Sequence, residues 1–192
     1  FIGNAPVDGE VRAIASGALA TGDTVVVNSD GTVSVVSATN VSASLGTSVQ
    51  ANSGAVVYTN TAYDAASQKI VMVYRDTGNS SYGTAVVGTV SGTSISFGTP
   101  VVYEASSSSF NAIVYDPDSQ KVVVAYSGTG SSLGYAIVGT VSGTSISFGT
   151  RAQFETGIMG YTALAYDTTS DKVVIAYRDS SNSSHGTAVV GT

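Results

Sequence analysis

The sequence predicts an all-β protein of three four-stranded, propeller-blade-like repeats, preceded by a β-hairpin segment. Three observations lead to this prediction. The segment Val-Ser-Gly-Thr-Ser-Ile-Ser-Phe-Gly-Thr occurs at residues 90–99 and again, unchanged, at residues 141–150. Tyr-Asp pairs begin at Tyr63, Tyr115 and Tyr166, so corresponding positions lie 52 and 51 residues apart. A fixed period of this length, made of short strands and turns, is typical of propeller blades and comparable β-repeats.

The composition indicates a folded β protein and argues against nucleic-acid binding. Hydrophobic residues make up 43% of the chain and charged residues 10%, a balance that does not fit an intrinsically disordered chain. The net charge is -6 and the 7 lysine and arginine residues are scattered, whereas nucleic-acid binding requires clustered positive charge. There is no cysteine, and no apolar run approaches the ~20 residues of a membrane span. We therefore expect no disulfide, no thiolate metal site and no membrane span.

A β-hairpin is predicted in the N-terminal segment, which we place at residues 1–40. Runs rich in β-branched residues at 24–27 and 32–36 flank the turn 28–31, whose glycine supplies the positive φ that closes a tight hairpin. We expect this segment to act in assembly or docking, and the repeats to occupy residues 41–192.

Each repeat divides into four predicted strands. The first ends at the Tyr-Asp pair, whose aspartate begins a turn. The second, such as residues 69–74, is apolar on both faces and must therefore be covered on both sides. The third, such as residues 84–90, leads through a tight Ser-Gly turn to the fourth, residues 94–97. The fourth strand alternates apolar and polar residues, as expected of an outer strand.

The strand order is circularly permuted, because a faint copy of the fourth strand precedes the first repeat. The sequence reaches Thr192 just before a further fourth strand is due. The early copy is therefore expected to complete the last repeat, hiding its sheet edge. This assembly strand comprises Ser42, Ala43, Ser44, Leu45, Gly46 and Thr47. The edge that it would join comprises Thr187, Ala188, Val189, Val190, Gly191 and Thr192.

Three ways of completing the last repeat remain open at this point. The assembly strand closes the chain on itself, it joins another subunit, or further repeats follow. Propellers usually have at least four blades, so closure of three repeats would need a trefoil-like or prism-like arrangement. Exchange between subunits accepts any number of repeats and gives a head-to-tail contact, which produces a filament if no ring closes.

The polar residues of the repeat do not predict a metal or catalytic site. Asp64, Asp116 and Asp167 follow the first strands and are candidate calcium ligands or turn caps. Calcium loops need several carboxylates at close alternate positions, so we favour capping. His185, the single histidine, falls at a variable position of the repeat and lacks the surroundings of a catalytic base. We expect no catalytic residue, no metal site and no cofactor.

Two kinds of residue are candidates for a role with glycans: aromatic residues that would bind them, and asparagines that would carry them covalently. Tyr58, Phe110 and Tyr161 share one repeat position, where exposed rings would stack on sugars, although recurrence favours core packing between repeats. The glycosylation sequon is a sequence-level signal that is also expected by chance in a chain rich in serine and asparagine. The candidate glycosylation sites are Asn40, Asn79 and Asn182.

The repeats carry a motif that resembles a known group of tandem repeats. The motif Tyr-Asp-x-x-Ser-x-Lys-Val-Val-x-Ala-Tyr-Arg-Asp-x-x-Asn-Ser-x-x-Gly-Thr-Ala-Val-Val-Gly-Thr, followed by the ten-residue segment, resembles repeats of aquatic phage tail-fibre and structural proteins and of large secreted bacterial surface proteins. The resemblance covers roughly residues 41–192. The segment Ala-Thr-Gly-Asp-Thr-Val-Val-Val-Asn-Ser-Asp-Gly-Thr-Val from residue 20 resembles a module that precedes such repeats in phage-associated proteins. These resemblances imply an extracellular or virion fibre and bring no catalytic residues.

We therefore expect a structural subunit of an extracellular or virion fibre or filament, whose partner is another copy of itself and which assembles head to tail by β-strand complementation. The alternative is a carbohydrate-binding β-propeller adhesin, which would recognise cell-surface glycans in phage receptor binding or bacterial surface attachment. An enzyme is not expected, since no repeat places paired carboxylates or an arginine cluster where the others lack them.

Overall fold

The computed structural model describes residues 13–36, 44–128 and 132–191. These residues form strands, turns and loops without a helix. They fall into two compact units, Phe1–Ser44 and Leu45–Thr192. The described part of the chain accordingly has no helix that is long and apolar enough to cross a membrane.

The first unit contains a small three-stranded sheet. Its strands are β1 (Ile14–Ala15), β2 (Val25–Val27) and β3 (Thr32–Val35). β3 pairs in parallel with β1 and antiparallel with β2. The turn between β2 and β3 has Gly31 at a φ of 80°, and the Thr32 N–H donates to the Asp30 carboxylate at 2.9 Å. β2 and β3 thus form the hairpin that the sequence predicts.

The second unit contains three antiparallel sheets within its described residues. The first has the order β4-β5-β6-β7, with β8 also paired to β6: β4 (Val56–Asp64), β5 (Lys69–Asp76), β6 (Tyr82–Ser91), β7 (Ser94–Phe97) and β8 (Val101–Ser107). The second repeats this order: β9 (Ser109–Asp116), β10 (Lys121–Ser127), β11 (Gly134–Ser142), β12 (Ser145–Phe148) and β13 (Ala152–Glu155). The third has the order β14 (Met159–Asp167), β15 (Lys172–Asp179) and β16 (His185–Gly191).

The second strand of each of the first two sheets, β5 and β10, is covered on both faces, as its sequence pattern predicts. The second strand of the third sheet, β15, is buried on one face, whereas Ala176 on its other face is exposed. Val73 and Tyr74 in β5 point to opposite faces, and both are fully buried. An apolar cluster joins the first sheet to the second and includes Val73 and Val124. A second cluster joins the second sheet to the third and includes Ala125 and Ile175. The core therefore lies between neighbouring sheets.

A glycine after the fourth strand lies against the turn of the following sheet. Gly98, after β7, lies so close to the Thr144 carbonyl oxygen that a Cβ atom would collide with it. Gly46 lies in the same way against the Thr93 carbonyl oxygen. This contact repeats along the unit with the period of the sequence.

Replacing Gly98 with alanine is expected to destabilise the fold by about 1–3 kcal/mol, the usual effect of overpacking a close contact. Denaturant titration measures the free energy of unfolding. Gly149→Ala is the matched control, because the nearest atom to its added methyl group is the Val138 carbonyl oxygen at 3.9 Å. Equal losses in the two variants would contradict the importance of the contact between sheets.

The prediction of an all-β fold is confirmed, with one correction to the strand count. The first two sheets each have a fifth strand, β8 and β13, where the sequence predicts four. Each extra strand pairs with the first half of a third strand because the fourth strand covers only its second half. The described residues form no closed barrel or propeller. The propeller-like arrangement of three repeats stays a prediction.

Candidate assembly site

The third strand of each complete sheet is hydrogen bonded along both of its sides. β6 pairs with β5 on one side; on the other, residues 88–91 pair with β7 and residues 82–85 with β8. β11 is covered in the same way by β10, β12 and β13. Two short strands placed end to end thus cover the outer side of each of these third strands.

The outer side of β16 has no partner strand among the described residues. β16 pairs with β15 from His185 to Gly191, and this is its single ladder in the part of the chain that the structure describes. We call this outer side, residues 185–191, the acceptor edge. Val190 on β16 is 62% exposed, whereas its counterparts are 41% exposed (Val138 on β11) and fully buried (Val87 on β6). An uncovered strand presents free N–H and C=O groups that pair readily with another strand.

The acceptor edge contains most of the edge that the sequence predicts. Thr187, Ala188, Val189, Val190 and Gly191 all lie in β16. Thr192 lies outside the described residues. The structure therefore places five of the six predicted edge residues on one strand, whose outer side has no partner within residues 13–36, 44–128 and 132–191.

The predicted assembly strand is only partly within the described residues. Ser42 and Ala43 lie outside them, whereas Ser44, Leu45, Gly46 and Thr47 are exposed and belong to no strand. The residues that follow, 49–52, correspond in the sequence repeat to residues 101–104 at the start of β8. We call residues 45–52 the donor segment.

The donor segment carries apolar side chains that are exposed to solvent. Leu45 is 95% exposed and Val49 is 49% exposed. By the sequence repeat, Leu45 corresponds to Phe97 and Phe148, at the ends of β7 and β12. The donor segment thus corresponds, within the sequence repeat, to the strands that cover β6 and β11.

A groove of about 570 Å³ lies beside the acceptor edge, between the second and third sheets. Val138 and Phe154 line it from the second sheet, and Ile175 and Val189 line it from the third. Its lining is predominantly apolar, with Lys121 and two aspartates among the polar residues at its margin. We call this cavity the acceptor groove.

Three aromatic rings form a ladder across the three sheets. The Tyr58 and Phe110 ring centroids are 5.1 Å apart, as are those of Phe110 and Tyr161. Each residue has a positive φ, between 53° and 55°, which is strained for a bulky side chain. The rings pack between repeats, but Tyr58 is 41% and Tyr161 is 66% exposed, so the prediction that these residues lie in the core is wrong for the two outer rings. The ladder ends in an exposed ring on each side.

The aspartates that follow the first strands cap their turns. Asp64 accepts backbone N–H bonds from Ala66 and Ser67 at 3.0 and 3.1 Å. Asp116 and Asp167 accept equivalent bonds. These bonds match the capping interpretation. Among the residues that the structure describes, no group of three or more His, Cys, Asp or Glu side chains is placed to hold a metal ion.

A buried carboxylate joins neighbouring sheets, and the sequence analysis did not identify it. The Tyr126 hydroxyl of β10 donates to Glu104 of β8 at 2.8 Å, and Arg151 forms an ion pair with the same carboxylate. Tyr177 donates to Glu155 at 2.7 Å in the equivalent place. The recurrence of glutamate 51 positions apart is the signal that would have revealed this contact.

The surroundings of Glu104 favour its charged form. Burial alone would raise the pKa of this carboxyl, but bonds from Ser106, Tyr126 and Arg151 outweigh burial and lower the pKa from its ordinary value of 4.5. Burial and the bond to Glu155 raise the pKa of Tyr177 to about 12. The tyrosines therefore remain protonated donors and the glutamates remain acceptors at neutral pH.

Acidification below about pH 4.5 is expected to weaken the contact between the first two sheets. A carboxyl whose pKa is lower in the folded chain stabilises it above the unfolded pKa, and this contribution is lost as the pH falls through the folded value. Denaturation at a series of pH values down to about pH 3 measures the loss. Glu104→Gln is expected to make the free energy of unfolding depend less steeply on pH below about pH 4.5. An unchanged pH dependence would contradict the role of Glu104.

Two of the three candidate glycosylation sites lie in the described part of the chain. Asn79 and Asn182 occupy exposed turns after β5 and β15, and their backbone N–H groups donate to the carboxylates of Asp76 and Asp179. Asn40 lies outside the described residues. The two exposed side chains are accessible to a modifying enzyme, and glycosylation stays a prediction.

Comparison with known proteins gave no match to a family model, a curated protein or a solved structure. The functional argument consequently rests on the geometry of the acceptor edge and the donor segment.

Proposed function

We propose that the chain is a structural subunit of an extracellular or virion fibre, assembled head to tail by β-strand complementation. The assembly strand and donor segment of one copy cover the acceptor edge of the next. The observation that carries this proposal is the outer side of β16. It has no partner among the described residues, whereas the equivalent sides of β6 and β11 are each covered by two strands.

The repeat predicts the register of the contact between copies. Gly88 pairs with Phe97 and Gly139 with Phe148, so Gly191 of one copy is expected to pair with Leu45 of another. In the first half of the third strand, which pairs with β8 or β13, Ala85 pairs with Val101 and Ala136 with Ala152. The corresponding pair between copies is Ala188 with Val49. One continuous segment therefore supplies partners for both halves of β16.

The aromatic ladder supports the same stacking direction. Tyr58 of one copy would continue the ladder beyond Tyr161 of the next, in the same way that Phe110 follows Tyr58. This contact would cover two exposed rings that have strained backbone conformations. Because the contact joins two different surfaces, it is heterologous and extends into a filament when no ring closes.

Negative-stain microscopy combined with sedimentation velocity tests the proposal. Filaments or a concentration-dependent series of head-to-tail oligomers are the expected result. Monodisperse monomers at high protein concentration would refute the proposal.

A carbohydrate-binding adhesin remains the second candidate function, and the observation that favours it is the exposed ring of Tyr161. The Arg178 guanidinium lies 4.8 Å from the centroid of this ring, which gives a polar margin beside an aromatic surface. Binding to a glycan array by protein that stays monomeric, lost in Tyr161→Ala, would favour this candidate over the fibre subunit.

A further inference from the structure

The acceptor groove has a filled counterpart elsewhere in the same unit. Between the first and second sheets, Ile146 and Phe148 of β12 project into the apolar cluster. Ile146 is 4% exposed, and the Phe148 ring centroid lies 5.5 Å from that of Tyr103 on β8. Two large side chains at alternate positions of a fourth strand thus fill the space between these sheets.

The walls of the acceptor groove match those of its filled counterpart. Phe154 of β13 corresponds to Tyr103 of β8, and both face the following sheet. Val190 and Gly191, at the end of β16, line the groove directly. A strand paired with the acceptor edge in the expected register would therefore project its alternate side chains into the groove.

The polar residues at the groove margin are bonded locally. Lys121 Nζ donates to the Thr140 hydroxyl at 3.0 Å. Asp116 accepts bonds from two turn N–H groups and from the Ser119 hydroxyl. Asp171 accepts a bond from the Tyr166 hydroxyl at 3.3 Å. The rest of the lining is predominantly apolar, which favours an aliphatic or aromatic side chain over a charged ligand.

We propose that the acceptor groove binds Leu45 of a second copy, and that it prefers a larger apolar residue at that position. This inference rests on the proposed head-to-tail assembly and identifies the side chain that determines its affinity. Leu45 is the counterpart of Phe148 and is 95% exposed in the free chain, so it supplies apolar surface for burial. Ala43 is the counterpart of Ile146 in the sequence.

The donor pair Ala and Leu is smaller than the Ile and Phe pair that fills the equivalent space. A groove of about 570 Å³ is therefore underfilled by the donor and has room for an aromatic ring at the Leu45 position. A change in apolar volume inside a pocket typically alters affinity by about tenfold or more. The segment 94–104 of this chain carries the larger pair and is consequently a stronger ligand for the groove than residues 42–52.

Substitutions at Leu45 test the inference through the concentration at which half of the protein is assembled. Leu45→Phe is expected to lower this concentration about tenfold, and Leu45→Ser to raise it at least about tenfold. Leu45 is almost fully exposed in the free chain, so neither change is expected to alter its folding. If the wild-type chain assembles and both variants assemble at the same concentration, the groove assignment is overturned, whereas backbone complementation stands.

A peptide measurement separates the groove from the assembly itself. A labelled peptide with the sequence of residues 94–104 is titrated with the full-length Leu45→Ser chain, and its fluorescence anisotropy is followed. The expected result is binding, with no binding by a matched peptide in which serine replaces the Ile95 and Phe97 residues. Equal behaviour of the two peptides would overturn the preference for large apolar residues.

The two proposals fail in distinguishable ways. Peptide binding without any assembly of the wild-type chain would refute the fibre function and overturn the assignment of the occupant to a second copy. Assembly of the wild-type chain that the Ile-Phe peptide does not inhibit would overturn the groove assignment alone.

Discussion

Deleting residues 1–50 is expected to abolish assembly and leave a monomer that keeps its three sheets. The deletion removes Leu45 and Val49, which are exposed in the free chain and are the expected partners of Gly191 and Ala188. The sheets begin at β4 (Val56–Asp64), so their ladders lie outside the deleted region. Sedimentation velocity measures the loss of oligomers, and circular dichroism checks that the β structure is retained.

The matched control is deletion of residues 1–36. This variant lacks the described part of the N-terminal sheet but keeps the assembly strand and the donor segment. It is expected to assemble, because strand complementation needs only residues 42–52. Loss of assembly in both deletions would assign the contact to the N-terminal sheet and contradict the role of the donor segment.

Replacing Val190 with aspartate is expected to weaken association by at least about 30-fold. Val190 is 62% exposed in the free chain, so the change is tolerated there, but its counterpart Val87 is fully buried in the apolar cluster between the first and second sheets. An unpaired carboxylate buried in the assembled edge would oppose binding by several kcal/mol. Analytical ultracentrifugation over a range of concentrations measures the association constant.

Val102→Asp is the control for the Val190 substitution. Val102 is 39% exposed on β8, and its counterpart on β13 is the polar residue Gln153. The control variant is expected to assemble like the wild-type chain. If the two aspartate substitutions weaken association equally, the effect follows from added charge and the acceptor edge is not the contact.

The strands and turns of the repeats were predictable because they depend on neighbouring residues. The apolar pattern of β5 predicts coverage on both faces, and Val73 and Tyr74 are fully buried. Asp64 and Asp116 begin turns because their side chains accept nearby N–H bonds, which is a local property of the sequence. Period-two alternation and turn residues therefore account for most of the strand assignments.

Contacts between distant residues were not predictable in the same way. β8 and β13 were not predicted as strands, because their partners are third strands whose other half already pairs with a fourth strand. In the sequence Glu104 has no feature that distinguishes it from a surface glutamate, because its partner Tyr126 belongs to the next sheet and donates to it only in the folded unit. The positive φ of Phe110 depends on the pairing register around a β-bulge, which the sequence does not specify.

The candidate site was half predictable for the same reason. The early copy of the fourth strand and the position at which the last third strand stands in the sequence led to the prediction that residues 42–47 pair with residues 187–192, and this pairing stays a prediction. The acceptor groove was not predictable, since it depends on how the second and third sheets pack. Its filled counterpart beside Ile146 and Phe148 became recognisable only in the packed unit.

Disulfide cross-linking between Val49→Cys and Ala188→Cys in one chain tests the head-to-tail register most directly. The chain has no cysteine, so each covalent link reports the introduced pair alone. Residues directly opposite in an antiparallel pair are close enough for a disulfide. The account predicts a ladder of covalent multimers under oxidising conditions, with dimers at most from either single variant and a weaker ladder from Val49→Cys with Thr187→Cys. Monomers closed by an internal disulfide, or an equally strong ladder in the shifted pair, would contradict it.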